Sequence, residues 1–443
     1  GPRNDVADVT SYAYYDASDA DLGRRGRLAT IANALGQVTM LSAYDASGRP
    51  SAITDPNGAP ITLGYTPRGR IATRSVDGQT TSYHYTPWGD VERVDLPDGT
   101  SIQYEYDAAH RLIGLSDPAG RGVNYTLDAQ GKRTADADVN GDGSTARQVS
   151  RSYDALGRIQ TEAEGDDPAR SFTYAANGEL QSVNSPRPAT TSYTIDALGR
   201  TTHIADPING SGKPTTMAYD RRGQITSLTA PNGAVTSFTV DGLGNVRQEN
   251  SANRGTTSAT YDEAGNLKTR TDARGVTTSI AYDALNRPTT VTTSNGRSRT
   301  LTYDGCANGL GRLCRVVQGE LTVDYAYDRR GNPTSVTRRI GTETFTTSLA
   351  YNGAERLLAV TAPTGETIAS TLDAGGAIAG LEATRSGAPV ALADQIVHDA
   401  RGQVLSLRAG QVTIAQTYDA AGRLESGPGL DLAYADGQLA QRS

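Results

Sequence analysis

The stretch GNLKTRTDARGVTTSIAYD, residues 265–283, begins on the last residue of one turn signal and contains a second, and each signal is followed by a short run rich in Thr, Val, Ile and Tyr. It follows the pair Tyr261-Asp262 and ends on the pair Tyr282-Asp283, 21 residues further on. The first turn signal is Asp-Glu-Ala-Gly at 262–265, and the second is the Ala-Arg-Gly that ends at Gly275. Runs of β-favouring residues between such turns predict a β-hairpin.

Copies of this unit follow one another along nearly the whole chain. Some nineteen units open on a Tyr-Asp pair or a close variant, from Tyr15-Asp16 to a frayed unit at Tyr434, and most steps are 20 or 21 residues. Longer steps place their extra residues in loop-like segments such as 136–146 and 206–214. Insertions confined to turns are what a hairpin array tolerates.

The number of repeats constrains the sheet that they build. About 38 strands at roughly 4.8 Å spacing would give a sheet on the order of 180 Å wide along its hydrogen-bonding direction. A twisted sheet of that width must curl, split or close. We predict an all-β fold whose hairpins join side by side over residues 15–443 without a separate effector domain. Residues 1–14 are interpreted as a tag scar, Gly1-Pro2, and an irregular lead-in.

The turn after each Tyr-Asp pair has a specific chemistry. In Asp-x-x-Gly, the Asp side chain can accept hydrogen bonds from backbone N–H groups two or three residues on, and the fourth residue enters the left-handed region as a bulge. Seventeen units have this spacing and fourteen of them carry Gly at the fourth place; the exceptions are His110, Asn286 and Glu355. Asn and His tolerate positive φ, but Glu does not, so we expect a distorted turn at Glu355.

The opposite ends of the hairpins carry other turn signals. These are Pro56-Asn57-Gly58, Asp77-Gly78, Asp98-Gly99, Asn232-Gly233, Asn295-Gly296 and Thr364-Gly365. Asn-Gly and Asp-Gly between β-rich runs are strong hairpin signals. Each strand is therefore expected to have a turn at both ends.

The two strands of a unit differ in their apolar spacing. Before a Tyr-Asp pair, apolar residues alternate, as in Ile102, Tyr104 and Tyr106, which is typical of a strand with one buried face. After the turn they lie three apart, as in Leu112 and Leu115. We predict a bulge just after the turn, because one extra residue would bring both side chains to one face.

Composition and charge exclude several classes of function. The formal net charge is −7 with both signs interspersed, so no basic stripe follows a phosphate backbone and no nucleic-acid partner is expected. No apolar run approaches a membrane span. The four histidines, His84, His110, His203 and His398, have no metal-ligand or nucleophile spacing. We expect no catalytic, cofactor-binding or metal-binding residues, and no cofactor.

One local motif has the opening of a calcium loop: Asp138-Val-Asn140-Gly-Asp142-Gly143. The twelfth position of an EF-hand loop, where a bidentate Glu binds, falls at Val149, and that ligand is missing. Asp136 is the candidate substitute for the missing ligand. A plain turn insertion is the preferred interpretation, and calcium binding is the alternative.

Two further features leave alternatives open. The Tyr residues, including the pair Tyr104 and Tyr106, could stack on one another across adjacent hairpins or stack on sugars; we favour the first. Cys306 and Cys314 lie eight apart in an enlarged loop and either form a short disulfide or remain free thiols. Two cysteines do not fix the redox compartment.

The recurrent Tyr-Asp-x-x-Gly-Arg followed by Leu or Ile, as at 153–159 and 418–424, resembles the YD repeat of the RHS family, and so do the Asp-Pro-x-Gly turns at 55–58 and 117–120. The resemblance covers nearly the whole chain. Family members include bacterial polymorphic toxins, the C component of insecticidal toxin complexes, wall-associated proteins and teneurins. The resemblance implies one long sheet that spirals into a hollow shell, which in the toxins encloses a C-terminal effector. The family's Asp-Pro-x-Gly-Leu core motif is absent, so an internal run of repeats is expected.

The resulting functional hypothesis is a non-enzymatic scaffold. It would be part of an RHS-type shell that encloses or presents a C-terminal toxin in a secreted or cell-surface bacterial protein. The alternative is a surface adhesion module that binds a glycan or a protein through Tyr-lined grooves.

Overall fold

The computed structural model describes residues 2–186, 189–209, 212–385, 387–435 and 438–442, and within these ranges the regular secondary structure consists of β-strands. The strands are β1 Ser11–Tyr14, β2 Leu28–Ala32, β3 Val38–Tyr44, β4 Pro50–Thr54, β5 Pro60–Tyr65, β6 Ile71–Val76, β7 Gln79–Tyr85, β8 Val91–Asp95, β9 Ser101–Tyr106, β10 Leu112–Ser116, β11 Gly122–Leu127, β12 Arg133–Val139, β13 Thr145–Tyr153, β14 Ile159–Glu164, β15 Arg170–Tyr174, β16 Leu180–Ser185, β17 Ala189–Ile195, β18 Thr201–Ala205, β19 Thr215–Tyr219, β20 Ile225–Thr229, β21 Val235–Val240, β22 Val246–Ser251, β23 Gly255–Tyr261, β24 Leu267–Thr271, β25 Thr277–Tyr282, β26 Pro288–Thr293, β27 Ser298–Tyr303, β28 Leu313–Gln318, β29 Leu321–Tyr327, β30 Pro333–Ile340, β31 Glu343–Tyr351, β32 Leu357–Thr361, β33 Thr367–Leu372, β34 Ile378–Thr384, β35 Val390–His398, β36 Val404–Ala409, β37 Val412–Ala415, β38 Thr417–Tyr418, β39 Leu424–Gly427, β40 Leu430–Ala435 and β41 Gln438–Arg442.

The strands build one sheet of 37 strands, β1 to β37, and one of four, β38 to β41. Strands that neighbour one another in sequence pair antiparallel, as β5 does with β6 and β6 with β7. The predicted all-β array of tandem hairpins is confirmed. No helix in the described ranges is long and apolar enough to cross a membrane.

The chain divides into two compact units, each assembled from stretches that are distant in sequence. Unit 1 contains residues 1–101, 259–371 and 381–390, and unit 2 contains residues 102–258, 372–380 and 391–443. Each unit therefore combines early repeats with late ones.

Strand β1 and a buried arginine lie within residues 1–14. Strand β1 pairs antiparallel with β2. The Arg3 residue is only 6% exposed, and its guanidinium donates to the backbone oxygen of Asp283 at 2.5 Å and lies 3.7 Å from the Asp262 carboxylate. Part of this segment is thus packed against the Asp-x-x-Gly turns of two later repeats.

The Tyr-Asp turns have the predicted bulged geometry, with a small difference in the cap. In the turn of Asp154, the N–H of Gly157 donates to the Asp154 carbonyl at 2.9 Å, and Gly157 has φ +81°. The Asp154 carboxylate accepts the N–H groups of Leu156 and Arg158, both at 2.9 Å. The cap therefore reaches two and four residues on, whereas we expected two or three.

The expected distortion at Glu355 is wrong. Its φ is +65°, beside +60° for both His110 and Asn286, and its N–H donates to the Asn352 carbonyl at 3.1 Å. The side chain of Asn352 accepts the amides two and four residues on, as Asp does elsewhere. The hydrogen bonds of the turn thus hold even Glu in the left-handed region.

Glu355→Gly is expected to raise the free energy of unfolding by about 0.5–1 kcal/mol, because relief of the left-handed cost outweighs the extra entropy of Gly in the unfolded chain. Chemical denaturation measures the change. Asn286→Gly is the comparison and should give no gain, since Asn tolerates this conformation and its side chain also accepts hydrogen bonds from Asn266 and Arg3 that Gly would remove. A destabilised Glu355→Gly protein would show that the Glu side chain has a favourable contact that outweighs the strain.

The bulge after the turn is confirmed. Tyr106 pairs with Leu112, but the preceding residue, Glu105, pairs with Gly114, so Ile113 is the extra residue. The shift places Leu115 opposite Tyr104 and Leu112 opposite Tyr106, on the same face. The spacing of three in the sequence is therefore a bulged strand.

The opposite turns mostly repeat the geometry of the Tyr-Asp turns. The Asp272 carboxylate accepts the N–H groups of Arg274 and Val276, both at 3.0 Å, and Gly275 has φ +79°. The turn at Asp77-Gly78 differs, because both residues have positive φ, +51° and +81°. That pattern is typical of a two-residue type I′ turn.

The sheet has little conventional core. No large side chain of the described residues is fully buried, and most strand residues are half-buried. A fold of this kind depends on contacts between neighbouring repeats.

Candidate functional site: a ladder of turns and a seam

Successive repeats are joined by a ladder of Tyr and Arg side chains. The Tyr65 hydroxyl donates to the Pro50 carbonyl of the preceding repeat at 2.8 Å. The guanidinium of Arg49 lies over the Tyr65 ring, 4.2 Å from its centre, and Arg49 Nε donates to the Asp45 carboxylate at 2.7 Å. The cap, the cation–π contact and the hydroxyl bond thus link one turn to the next.

The same arrangement recurs in both units. Basic side chains of one repeat lie over the Tyr ring of the next at Arg27 and Tyr44, Arg70 and Tyr85, Lys132 and Tyr153, Arg158 and Tyr174, Arg200 and Tyr219, Arg287 and Tyr303, Arg312 and Tyr327, and Arg423 and Tyr434. Where we expected neighbouring rings to stack, the structure places a cation on the ring face. In each of these pairs the cation occupies one face of the ring.

Tyr174→Phe is expected to lower the free energy of unfolding by about 1 kcal/mol, because the Ile159 carbonyl loses the hydroxyl that donates to it at 2.8 Å. The ring and its contact with Arg158 remain. The control is Tyr12→Phe on β1, where the residue is 59% exposed, and it should leave stability within about 0.5 kcal/mol. Equal effects in the two variants would show that the hydrogen bond from Tyr174 to Ile159 does not stabilise the fold.

In unit 1, early turns contact turns that come about 250 residues later. The Asn57 side-chain amide donates to the Leu310 carbonyl at 3.0 Å, and its oxygen accepts the Leu310 N–H at 2.9 Å. The Asp98 carboxylate accepts hydrogen bonds from Arg356 and, at 2.9 Å, from the Asn352 amide. We call this line of turn-to-turn contacts the seam.

Unit 2 has contacts of the same kind. The Arg121 guanidinium forms two bonds with the Asp373 carboxylate, at 2.8 and 3.0 Å. Arg423 does the same with Asp167, at 2.7 and 2.9 Å. The Asn140 side-chain oxygen accepts the N–H of Ala400 at 2.9 Å.

The separations along the seam are nearly constant. Asp77 and Arg329 are 252 residues apart, as are Arg121 and Asp373, and Asn57 and Leu310 are 253 apart. With a unit of about 21 residues, this corresponds to about twelve repeats. Within each unit, then, the sheet curls so that one edge of early hairpins meets the opposite edge of late ones.

Several of the most buried residues lie at the seam. Ala59 is 1% exposed and Asp399 is 2% exposed, and Thr100 and Ala421 are also buried. Each lies within two residues of a seam contact. Part of the small set of buried residues therefore lies along the seam.

Two seam carboxylates, those of Asp98 and Asp373, are stabilised as anions. Burial opposes ionisation of Asp373, but hydrogen bonds from Arg121 and from the Ala377 amide outweigh it and hold the pKa below its ordinary value of 3.8. Burial likewise opposes ionisation of Asp98, whose pKa is lowered by bonds from Thr100 and by the charge of Arg356. Both groups favour the charged form in the folded chain.

Acid is therefore expected to loosen the seam. Because the folded-state pKa of each carboxyl group is lowered, its contribution to stability is complete above the unfolded value near 3.8 and is lost as pH falls through the lower folded value. Thermal unfolding midpoints should therefore drop below about pH 4. Asp373→Asn should have a shallower pH dependence in this interval, and an unchanged dependence would contradict the assignment.

The structure places the calcium-like motif in a turn and its flanking strands. The Asp138 carboxylate lies 3.7 Å from the guanidinium of Arg147, and the Asp136 carboxylate forms an ion pair with Arg151 at 2.7 Å. The Asp142 carboxylate accepts the Ser144 N–H at 2.9 Å. In the part of the chain that the structure describes, no three His, Cys, Asp or Glu side chains gather as metal ligands.

The histidines lie apart, and the cysteines are joined. His84 contacts the Asp95 carboxylate at 2.7 Å, and His203 contacts its neighbour Thr202. Cys306 and Cys314 form a disulfide, which decides the alternative left open by the sequence.

Sequence reasoning missed the seam residues. The Asp-Pro-x-Gly turns at 55–58 and 117–120 are visible in the sequence as turn motifs, but nothing in them identifies a partner in a late repeat. The sequence shows that the two kinds of turn recur with one period of about 21 residues. It does not show how many repeats separate two turns that meet.

Two family models match stretches of this chain. The RHS Repeat family model matches residues 24–60, 44–81, 85–121, 106–145, 261–298 and 327–367, and the Teneurin YD-shell model matches residues 143–255.

Curated relatives match part of the chain. Double-stranded DNA deaminase toxin A of Burkholderia cenocepacia (strain H111) is 32% identical over 144 residues, which is 32% of this chain and 10% of that protein. Probable deoxyribonuclease RhsB of Dickeya dadantii (strain 3937) is 28% identical over 179 residues, 36% of this chain and 10% of that protein. The chain thus matches about a tenth of the length of these relatives.

Two solved structures each match this chain across 98% of its length. The crystal structure of TcdB2-TccC3 has a TM-score of 0.72 at 15% identity, with 28% of that chain covered. The Photorhabdus luminescens Tc holotoxin pore with the TccC3-D651A mutation has a TM-score of 0.60 at 15% identity, with 30% covered. At such identities the likeness shows the fold alone. The repeats, their turn chemistry and the matches of the two family models agree, and the chain belongs to the RHS/YD-repeat family.

Proposed function

We propose that this chain is a non-enzymatic length of wall in an RHS-type β-shell, which encloses a C-terminal effector of a secreted or cell-surface bacterial protein. The seam is the observation that carries the proposal. Within each unit, its contacts join turns about twelve repeats apart, as a wall built from successive layers of hairpins requires.

The distribution of burial supports a wall more than a globule. A globule places its large apolar side chains in a shared interior, but no large side chain of the described residues is fully buried. Stability comes instead from the Tyr-Arg ladder and from the seam. Both kinds of contact join one hairpin to another and do not require a shared interior.

The relatives and the disulfide support the setting. The matched relatives are named as a deaminase toxin and a probable deoxyribonuclease, and the matched stretch is about a tenth of each. An enzymatic activity in such a protein would therefore be carried outside a stretch of this kind. A disulfide is typical of proteins that work outside the reducing cytosol.

Protease protection tests enclosure. In a full-length protein that joins these repeats to an effector, the effector should resist trypsin while the seam is intact. The double variant Arg121→Met plus Arg423→Met should expose it, whereas Arg158→Met, which alters a ladder arginine away from the seam, should not. Equal and rapid cleavage of the effector in all three folded proteins would reject enclosure.

A further inference from the structure

The disulfide closes a turn that is unlike the others. In regular repeats the capping Asp is bonded to the residue four places on, but here the Asp304 N–H donates to the Arg312 carbonyl at 3.1 Å. Cys306 and Cys314 bridge the enlarged turn. The backbone of Gly309 packs directly against the two sulfur atoms: a Cβ added at Gly309 would lie 2.5 Å from each of them. The disulfide therefore supports the loop backbone directly.

The tip of this loop makes a seam contact. The N–H and the carbonyl of Leu310, one residue after Gly309, both bond the Asn57 side chain. An Asn amide that pairs with both groups of one residue requires a fixed backbone orientation there. The loop contains Gly305, Gly309 and Gly311, which favour many conformations when unconstrained. The crosslink restricts them together with hydrogen bonds of the loop, such as that from the Gly311 N–H to the Asp304 carboxylate at 2.7 Å.

We propose that the Cys306–Cys314 disulfide is a reducible crosslink that maintains the seam contact between Leu310 and Asn57 in unit 1. It holds Leu310 against Asn57 in an oxidising environment and releases it when a dithiol reductant is present. This inference stands independently of whether the chain encloses an effector.

The exchange reaction balances with a dithiol. One thiolate of the reductant attacks Sγ of Cys306, which is part-exposed, while Cys314 is 5% exposed and leaves as a thiolate. The second thiolate of the reductant then displaces Cys306. The reductant gives up two electrons and becomes a cyclic disulfide, and its two protons pass to the two cysteine thiolates.

Other seam contacts in unit 1 provide internal controls. The contacts of Asp77 with Arg329 and of Asp98 with Arg356 involve no cysteine and lie in other turns. Reduction should therefore act first on the turn of Asn57 and on the loop. Ala59, two residues after Asn57 and 1% exposed, is the reporter on the far side of the seam.

Hydrogen exchange measured by mass spectrometry tests the proposal on the whole chain with and without dithiothreitol. Peptides covering residues 55–59 and 306–314 should both exchange at least tenfold faster after reduction, and peptides covering 96–100 should change less than twofold. Faster exchange of 306–314 alone would overturn the proposal, since the disulfide would then only order its own loop. Failure of dithiothreitol to generate two free thiols in the folded protein would overturn it as well.

Two variants separate the crosslink from the contact. Cys306→Ser plus Cys314→Ser should reproduce the reduced pattern without reductant and should not respond to dithiothreitol. Asn57→Ala keeps the disulfide and should accelerate exchange at Leu310 and Ala59 before reduction. If the serine variant does not fold, reduction of the folded natural sequence still gives the answer.

Discussion

Arg121→Met is expected to lower the free energy of unfolding by about 3 kcal/mol, the cost of removing one partner from a buried ion pair. The Arg121 side chain is 10% exposed and holds two carboxylates, Asp117 in its own turn and Asp373 across the seam of unit 2. Met conserves most of the apolar stem. The two carboxylates would then be left half-buried and without their cation.

Arg158→Met is the matched control for this experiment. Arg158 has the same bond to the capping Asp of its own turn, from Nε to Asp154 at 2.7 Å, but its guanidinium lies over Tyr174 and not across the seam. We expect about 1 kcal/mol for Arg158→Met, in line with a partly exposed pair and a cation–π contact. Chemical denaturation followed by tyrosine fluorescence compares the two.

A double-mutant cycle separates the seam from the turn. If the seam pair matters, Asp373→Asn combined with Arg121→Met should cost less than the sum of the single variants, because the second change no longer breaks a pair. Additive costs would mean that Arg121 acts only within its own turn. Equal costs for Arg121→Met and Arg158→Met would lead to the same conclusion.

The local chemistry of the repeat could be predicted because it is repeated. The Asp cap, the residue with positive φ and the bulge each depend on a few consecutive residues, and many copies make the pattern visible. The outcome at Glu355 shows the limit of residue preference: hydrogen bonds from Asn352 fix the turn, so the fourth residue adopts φ +65° in spite of its side chain.

The seam could not be predicted because identical local sequences have different partners. Asn57 and Asn232 both lie in Pro-Asn-Gly turns. Asn57 bonds Leu310, 253 residues away, whereas the Asn232 side chain accepts the N–H of Ala234, two residues on, at 3.0 Å. Which turn Asn57 meets depends on the rotation between neighbouring hairpins summed over about twelve repeats, and that is a property of the whole run of hairpins. No short stretch of sequence states that rotation.

Gly48→Ala is expected to lower the free energy of unfolding by about 2 kcal/mol, because two costs add. Gly48 has φ +81°, which an L-residue adopts at a cost of about 1–2 kcal/mol. Its added Cβ would also lie 1.9 Å from Nη1 of Arg27, which donates to the Gly48 carbonyl and lies over the Tyr44 ring. The side chain of Arg27 would have to leave that position.

Gly275→Ala isolates the first of these costs in the same unit. Gly275 has φ +79°, but a Cβ there would meet nothing within 4 Å. We expect a net loss of about 1 kcal/mol, since Ala also loses less entropy than Gly on folding. Denaturation midpoints of the two variants, compared at equal slope, give the difference. Equal losses would show that Arg27 moves aside without cost, and that the glycine of the repeat is required by its backbone conformation alone. A larger loss in Gly48→Ala would show that the glycine also leaves room for the arginine that joins one repeat to the next.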